Sequence, residues 1–233
     1  MKQEKSHTFR EENKIERFRA KNFFGQNFLK NNLILKKIIS SSNLKKDDLV
    51  LEIGPGTGNL TAELLNTAKK IVAIELDKDM VQHLQIKFHN QKKFFLEEKN
   101  VLKFYPDFKN YKIIANIPYN ITGKILRHFL EEVQNKPILM TLMVQKEVAN
   151  KIIAKEGNHN LLSLSVQIFG KAKKLFNVSR NYFSPVPNVD SAVIQITLFK
   201  KPLISNSKLF FEIIRKAFQN KRKTLKHSLK LTD

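Results

Sequence analysis

Asn116-Ile117-Pro118-Tyr119 sets a neutral amide, a rigid ring and an aromatic directly after the apolar run Ile113-Ile114-Ala115. That run reads as a buried strand, so the four residues stand at its end. Their types suit the holding of a flat base by its exocyclic amino group. Such a nitrogen is a poor nucleophile because its lone pair is delocalised into the ring. Accepting hydrogen bonds from both of its N–H groups localises that pair. The Asn116 carbonyl oxygen and a main-chain carbonyl of Ile117 or Pro118 can accept them. Pro118 fixes φ and removes a competing donor, and Tyr119 can stack on the base. Alone, the tetrapeptide is equally an ordinary exit from strand to loop.

A glycine loop upstream supplies the partner chemistry. Glu52-Ile53-Gly54-Pro55-Gly56-Thr57-Gly58 follows an apolar strand and opens a helix. Gly54 and Gly56 let the main chain approach a ligand closely, and the helix start presents free N–H groups. The spacing is G-x-G-x-G, not the G-x-G-x-x-G of dinucleotide binders. Glu75 ends the next strand, where its carboxylate can accept both hydroxyls of a ribose, with Leu76 beside it. Both features fit S-adenosylmethionine best and a nicotinamide dinucleotide second; a plain structural turn is the third option. Asn100 and Val101 follow the third strand, next to the expected adenine position. The Asn100 side chain can accept from the adenine amino group, or it is simply a turn residue.

The cofactor's sulfonium would be an activated donor, so orientation and proximity supply most of the remaining rate. Neither a metal nor a covalent nucleophile is needed. Downstream, the loop Phe183-Ser184-Pro185-Val186-Pro187-Asn188-Val189-Asp190-Ser191 is stiffened by two prolines. Phe183 can close the other face of the base, or it is an apolar plug before a strand.

The balance of charge points to a partner. The 233 residues carry a formal net charge of +21, and such an excess of Lys and Arg favours a polyanion such as nucleic acid. The 42% hydrophobic content provides for one substantial core. With no cysteine, the chain has no disulfide, thiolate metal site or Cys nucleophile. No secretory signal or transit peptide is visible, and the apolar runs are too short to span a bilayer. The expectation is a cytoplasmic monomer that does not associate with membranes.

Several elements must position these residues. Helical spacing covers 32–39, 58–68, 79–88, 122–133 (with Thr122 as N-cap) and 146–154. Strands are expected at 49–53, 70–76, 93–96, 112–115, 138–144 and 192–198, and 161–169 is ambiguous by period. The alternation predicts a three-layer α/β sandwich with a mostly parallel sheet. Residues 1–20 read as a charged, flexible arm, 21–200 as the main domain and 201–233 as a basic helical C-terminal region.

Taken together, six ordered motifs resemble the ribosomal RNA adenine N6,N6-dimethyltransferase family, with the Erm methylases as close relatives. They are Gly25-Gln26-Asn27-Phe28-Leu29, the glycine loop, Glu75-Leu76-Asp77, Asn116 to Asn120, Gln145-Lys146-Glu147-Val148, and Phe183 to Ser191. The resemblance implies a Rossmann-like class I methyltransferase with a seven-stranded sheet and S-adenosylmethionine as donor. It implies two adjacent adenosines near the 3′ end of small-subunit rRNA as target, in a small-subunit precursor. It places Gln26, Asn27 and Leu29 over the methionine end of the donor, and Asn116 at the reacting amine. Where the family usually has Asp, this chain has Asn100, which keeps an acceptor and loses a charge; weaker cofactor binding is expected. Lys221, Arg222 and Lys223, in a basic tail, match the dimethylase branch and are expected on RNA phosphates; a solvated helix face is the plain alternative. A fuller helical C-terminal domain than 201–233 is the family pattern. An Erm-like large-subunit methylase and a non-catalytic RNA-binding assembly factor are the competing functions.

Overall fold

A computed structural model describes residues 27–219, so Gln26, Lys221, Arg222, Lys223 and the arm at 1–20 lie outside the described residues. The chain runs β1 (Phe28–Leu29), α1 (Asn32–Ser41), β2 (Leu49–Ile53), α2 (Asn59–Leu65), β3 (Lys70–Glu75), α3 (Lys78–Lys87) and β4 (Phe94–Glu98). It continues through β5 (Tyr111–Asn116), α4 (Thr122–Arg127), β6 (Leu139–Gln145), α5 (Lys146–Ile152) and α6 (Leu161–Gln167). The last elements are β7 (Gly170–Val178), β8 (Phe183–Ser184), β9 (Ser191–Leu198) and α7 (Ser207–Gln219).

Seven strands form one sheet in the order β4-β3-β2-β5-β6-β9-β7. Neighbours from β4 to β6 pair in parallel, and β9 runs against both β6 and β7. The central strands are apolar on both faces because helices cover both. Alternation along each strand divides the core. Leu51 and Ile53 of β2 join Ile113 of β5 and Leu142 of β6 under α4, α5, α6 and α7. Val50, Ile71 and Ile114 face the other way, toward α1 and α2.

The expected sandwich is therefore present, with local differences. Thr122 does not cap its helix: it already has helical angles (φ −49°, ψ −50°), and its hydroxyl donates back to the Tyr119 carbonyl at 3.3 Å. The expected single helix over 122–133 is an α-helix to Arg127, then a wider π turn over His128–Glu132. The ambiguous segment at 161–169 is helical from Leu161, since Asn160 and Ser163 form a reciprocal capping box. β7 carried no apolar signal, because Lys171 and Lys173 project from an edge strand, where charge discourages pairing with other chains. α7, expected to belong to a separate region, buries Phe211 and Ile214 in the main core, with Phe211 stacked on Phe169.

One buried ion pair ties the sheet to the loop before β2. Lys112 is 6% exposed, and its Nζ lies 2.6 Å from Asp48 Oδ2 and 2.5 Å from the Asn43 carbonyl. Lys112→Ala should lower unfolding free energy by about 3 kcal/mol, because it strands Asp48 and a carbonyl in the interior. Urea unfolding checks this; a loss below about 1 kcal/mol would show the pair to be dispensable.

Candidate active site

The ends of β2, β3 and β5 open onto a cavity of about 340 Å³. It lies at the C-terminal edge of a parallel sheet, where open α/β folds bind ligands. The glycine loop forms its floor. Gly54, Gly56 and Gly58 all have positive φ, between 56° and 76°. A Cβ on Gly58 would meet the Phe88 ring at 2.6 Å and Leu84 at 2.8 Å, so both angle and space demand glycine there. Lys87 Nζ donates to the Thr57 carbonyl at 3.0 Å and braces the loop.

Glu75, the last residue of β3, is held by main-chain N–H groups. Its Oε1 accepts from Leu76 and Asp77 at 2.8 and 2.9 Å, and its Oε2 from Gly56 at 3.2 Å. Burial raises its carboxyl above the usual range, and those three N–H groups oppose the rise. The carboxylate therefore joins the glycine loop to the end of β3 and keeps lone pairs for hydroxyl donors in the cavity. Asn100 follows β4, and its Oδ1 accepts from the Leu102 N–H at 2.9 Å. The side chain is thus a turn cap, with a second lone pair on that oxygen still open to a ligand.

Asn116 closes the opposite side. Its Nδ2 donates to the Asn27 carbonyl at 3.1 Å. A carbonyl can only accept, so this bond decides the orientation of the amide. Its Oδ1 is left as the acceptor. Tyr119 sits in the short helical turn Tyr119–Ile121, with its hydroxyl 2.6 Å from Ser191 Oγ. That bond anchors the ring from the first residue of β9, and burial raises the phenol above its ordinary range, with the Ser191 bond lowering it. Asn59 Nδ2 donates to the Leu29 carbonyl at 2.9 Å and holds β1 over the glycine loop.

The fold gathers most of the expected residues. Asn27, Leu29, Gly54, Gly56, Glu75 and Leu76 line the cavity. So do Asn100, Val101, Asn116, Pro118 and Tyr119. Phe183 is a correction. It is 3% exposed and packs in the core with Leu29, Val178 and Val193, because β8 pairs with β1 and turns the ring inward. Its place here is the apolar plug, not a face of the base site. Glu52 and Lys124 also line the cavity without having been assigned a role from sequence. A lone acid in the apolar strand Leu49–Ile53 was the signal for Glu52.

Fold and cavity together define a class I S-adenosylmethionine-dependent methyltransferase. In solved structures, the chain resembles a dimethyladenosine transferase from Plasmodium falciparum, with a TM-score of 0.78 and 34% identity, covering 87% of this chain and 74% of that one. It also resembles the 23S rRNA methyltransferase ErmE, with a TM-score of 0.75 and 26% identity, over 87% of this chain and 83% of that one. The ribosomal RNA adenine dimethylase family profile matches residues 17–232, and the chain belongs to that family. A relative from Fusobacterium nucleatum, the ribosomal RNA small subunit methyltransferase A, is 41% identical over 224 residues, which is 91% of this chain and 83% of the relative. No helix among the described residues is long and apolar enough to cross a membrane.

Proposed function

We propose that this protein transfers methyl groups from S-adenosylmethionine to N6 of two adjacent adenosines near the 3′ end of small-subunit rRNA, in a precursor of that subunit. The observation that carries the reading is the pinned amide of Asn116, which keeps an oxygen acceptor at the end of β5. The donor set suits the cofactor. Glu75 offers an anchored carboxylate for ribose hydroxyls, Asn100 an acceptor for the adenine amine, and the glycine loop a floor that side chains would obstruct.

When bound, the cofactor supplies a methyl group on a sulfonium that needs no further activation. Asn116 Oδ1 takes one N–H of the target amine. A main-chain carbonyl of Ile117 or Pro118 takes the other, and the nitrogen lone pair is freed toward the donor. Tyr119, anchored by Ser191, supports the base from one side. The rate then rests on positioning rather than on a strong general base.

The test is transfer of labelled methyl from S-adenosylmethionine into unmethylated small subunits, with N6,N6-dimethyladenosine recovered on digestion. Label found only in large subunits would transfer the assignment to an Erm-like activity. Cofactor-independent RNA binding without transfer would identify an assembly factor.

Lys221, Arg222 and Lys223 are proposed to contact RNA phosphates. Replacing all three with Ala should weaken RNA binding, with the slope of log K against log salt falling by about 2–3 units. Titrations at several salt concentrations would show it, and an unchanged slope would refute the phosphate role.

A further inference from the structure

Several cations of this protein stand against acids. Lys78 meets Glu98 at 3.9 Å, Lys99 meets Glu97 at 2.8 Å, Arg127 meets Glu132 at 3.1 Å and Lys151 meets Glu147 at 2.7 Å. The edge of the sheet opposite the cavity is different. Lys45 and Lys46 lead into β2, Lys69 and Lys70 stand at the start of β3, and Lys92 and Lys93 lead into β4. All six residues are exposed. Among the described residues, no acid forms an ion pair with any of them.

Strand order brings the three pairs together. β4, β3 and β2 are neighbours and run in parallel, so their starts share one edge. The Ile71 N–H donates to the Lys93 carbonyl at 2.8 Å, which sets Lys70 beside Lys93. The Lys69 N–H donates to the Asp48 carbonyl at 3.0 Å, which sets Lys69 beside the turn that carries Lys45 and Lys46. That turn is closed by the Lys45 N–H, which donates to Asp48 Oδ2 at 2.6 Å. With neighbouring strands about 4.8 Å apart, the six side chains start from a patch on the order of 10–20 Å across.

Little within the fold offsets this charge. Asp48 is committed to the buried Lys112, which leaves Asp47 as the one exposed acid in 43–48, 66–70 and 88–93. Like charges set side by side cost stability. Protection of an edge strand accounts for lysines on β4, as on β7. It does not account for those on β2 and β3, which have partners on both sides. Lys70 is also held in place: its Nζ lies 4.3 Å from the centre of the Phe95 ring. A crowd of cations on one edge, unmet by acids, suits a polyanion.

We propose that this lysine patch is a second RNA-docking site, which takes the phosphate backbone of a segment of small-subunit rRNA other than the one that enters the cavity. The inference rests on the proposed rRNA substrate. Lysine offers phosphate oxygens a point charge and reads no base, so the segment is selected by its position in the folded particle. Distance makes it a second segment. The cavity opens at the other ends of the same strands, and the six residues of β3 put about 20 Å between the two. An RNA strand seated in the cavity would have to turn back around the sheet to reach the patch. With two contacts on one particle, the second forms intramolecularly and adds to overall affinity. A free strand carrying the target adenosines fills only one of them, so the protein favours the folded subunit.

The test uses the full chain with Lys69→Gln, Lys70→Gln, Lys92→Gln and Lys93→Gln combined. Binding to unmethylated small subunits should weaken about tenfold or more, and the slope of log K against log salt should fall by about 3 units. The KM for subunits should rise with kcat little changed, and affinity for S-adenosylmethionine should stay at the wild-type value. The same four positions changed to Arg should bind as wild type, since only the charge is used. A comparison variant, with Lys36, Lys37, Lys173 and Lys216 changed to Gln, removes equal charge from α1, β7 and α7. It should lose less than about threefold, because salt screens charges distant from the contact.

Equal losses from the two Gln variants would overturn the proposal in favour of diffuse attraction. Wild-type binding by the first would overturn it outright. On protein-free small-subunit rRNA the slope should fall as well; an unchanged slope there, with binding to subunits lost, would give the patch to an acidic protein of the particle and overturn the RNA assignment. If the fourfold variant melts below wild type, Lys92→Gln with Lys93→Gln decides, with an expected fall in slope of about 1.5 units. Methyl transfer by the wild type, with binding unaffected by these changes, removes only the patch. Absence of transfer by the wild type removes the proposed function itself.

Discussion

Asn116→Ala should lower methyl transfer by roughly 10²–10³-fold, the size of effect seen when one preorganised hydrogen-bonding group is removed from a transition state. Cofactor affinity should change much less. The reason lies in the two ends of one amide. The nitrogen is held by the Asn27 carbonyl, which fixes the side chain before any base arrives. The oxygen then meets the amine without a reorganisation cost. Alanine removes the acceptor for the amine and also one bond to the Asn27 carbonyl, so an affinity loss of a few-fold is expected from the loosened segment. Asn116→Asp should be nearly as damaging, because a carboxylate oxygen would face the Asn27 carbonyl and two acceptors repel. Single-turnover transfer into unmethylated subunits measures the first quantity and calorimetry the second. Activity within a few-fold of wild type would show that the amine is held elsewhere.

Glu75→Ala should raise the dissociation constant of S-adenosylmethionine by roughly 10²–10³-fold. Two hydroxyl bonds to a carboxylate are lost, each worth about 1.5–3 kcal/mol, with part recovered by water. A second loss comes from the frame. Glu75 is the bond between the Gly56 N–H and the N–H groups of Leu76 and Asp77, so the glycine loop loses its tie to the end of β3. Stability of the free protein should change little, because relief of a costly buried charge is offset by three N–H groups that lose their acceptor. Calorimetry and a thermal melt separate the two effects. A dissociation constant within threefold of wild type would mean that the ribose is held by another group. A lower melting temperature with unchanged affinity would assign Glu75 a structural role only.

Much of this site was legible in the chain because its parts are local. A glycine loop after an apolar strand, an acid closing the next strand and an Asn-x-Pro-Tyr at the end of a third are patterns of spacing and residue type. Each needs only its own neighbours to take shape. Glu52 was visible as an oddity, a charge among Leu49, Val50, Leu51 and Ile53, but its surroundings were not. Whether a buried acid is paired or orphaned depends on residues far along the chain, here Thr61 from the helix that follows the loop.

Phe183 shows the converse. Its place in a proline-stiffened loop near the site suited a stacking role as well as a packing one. The two-residue pairing of β8 with β1 decided for packing, since Leu29 stands opposite Phe183 and the ring turns into the core. β7 escaped notice because its lysines answer to the solvent on an edge, and edge position is a property of the whole sheet.

The sequence by itself determined the class of fold, the glycine loop and the residue types that stand at the end of β5. Periodicity and residue chemistry act over a few positions, and those positions are contiguous. The tertiary structure alone decided which way the Asn116 amide points. Its partner, the Asn27 carbonyl, lies 89 positions away, and they meet only because β5 pairs beside β2 and β1 folds back over the glycine loop. Hydrogen bonds between such distant groups follow from strand order, which is set by the burial of all the strands together rather than by any one segment.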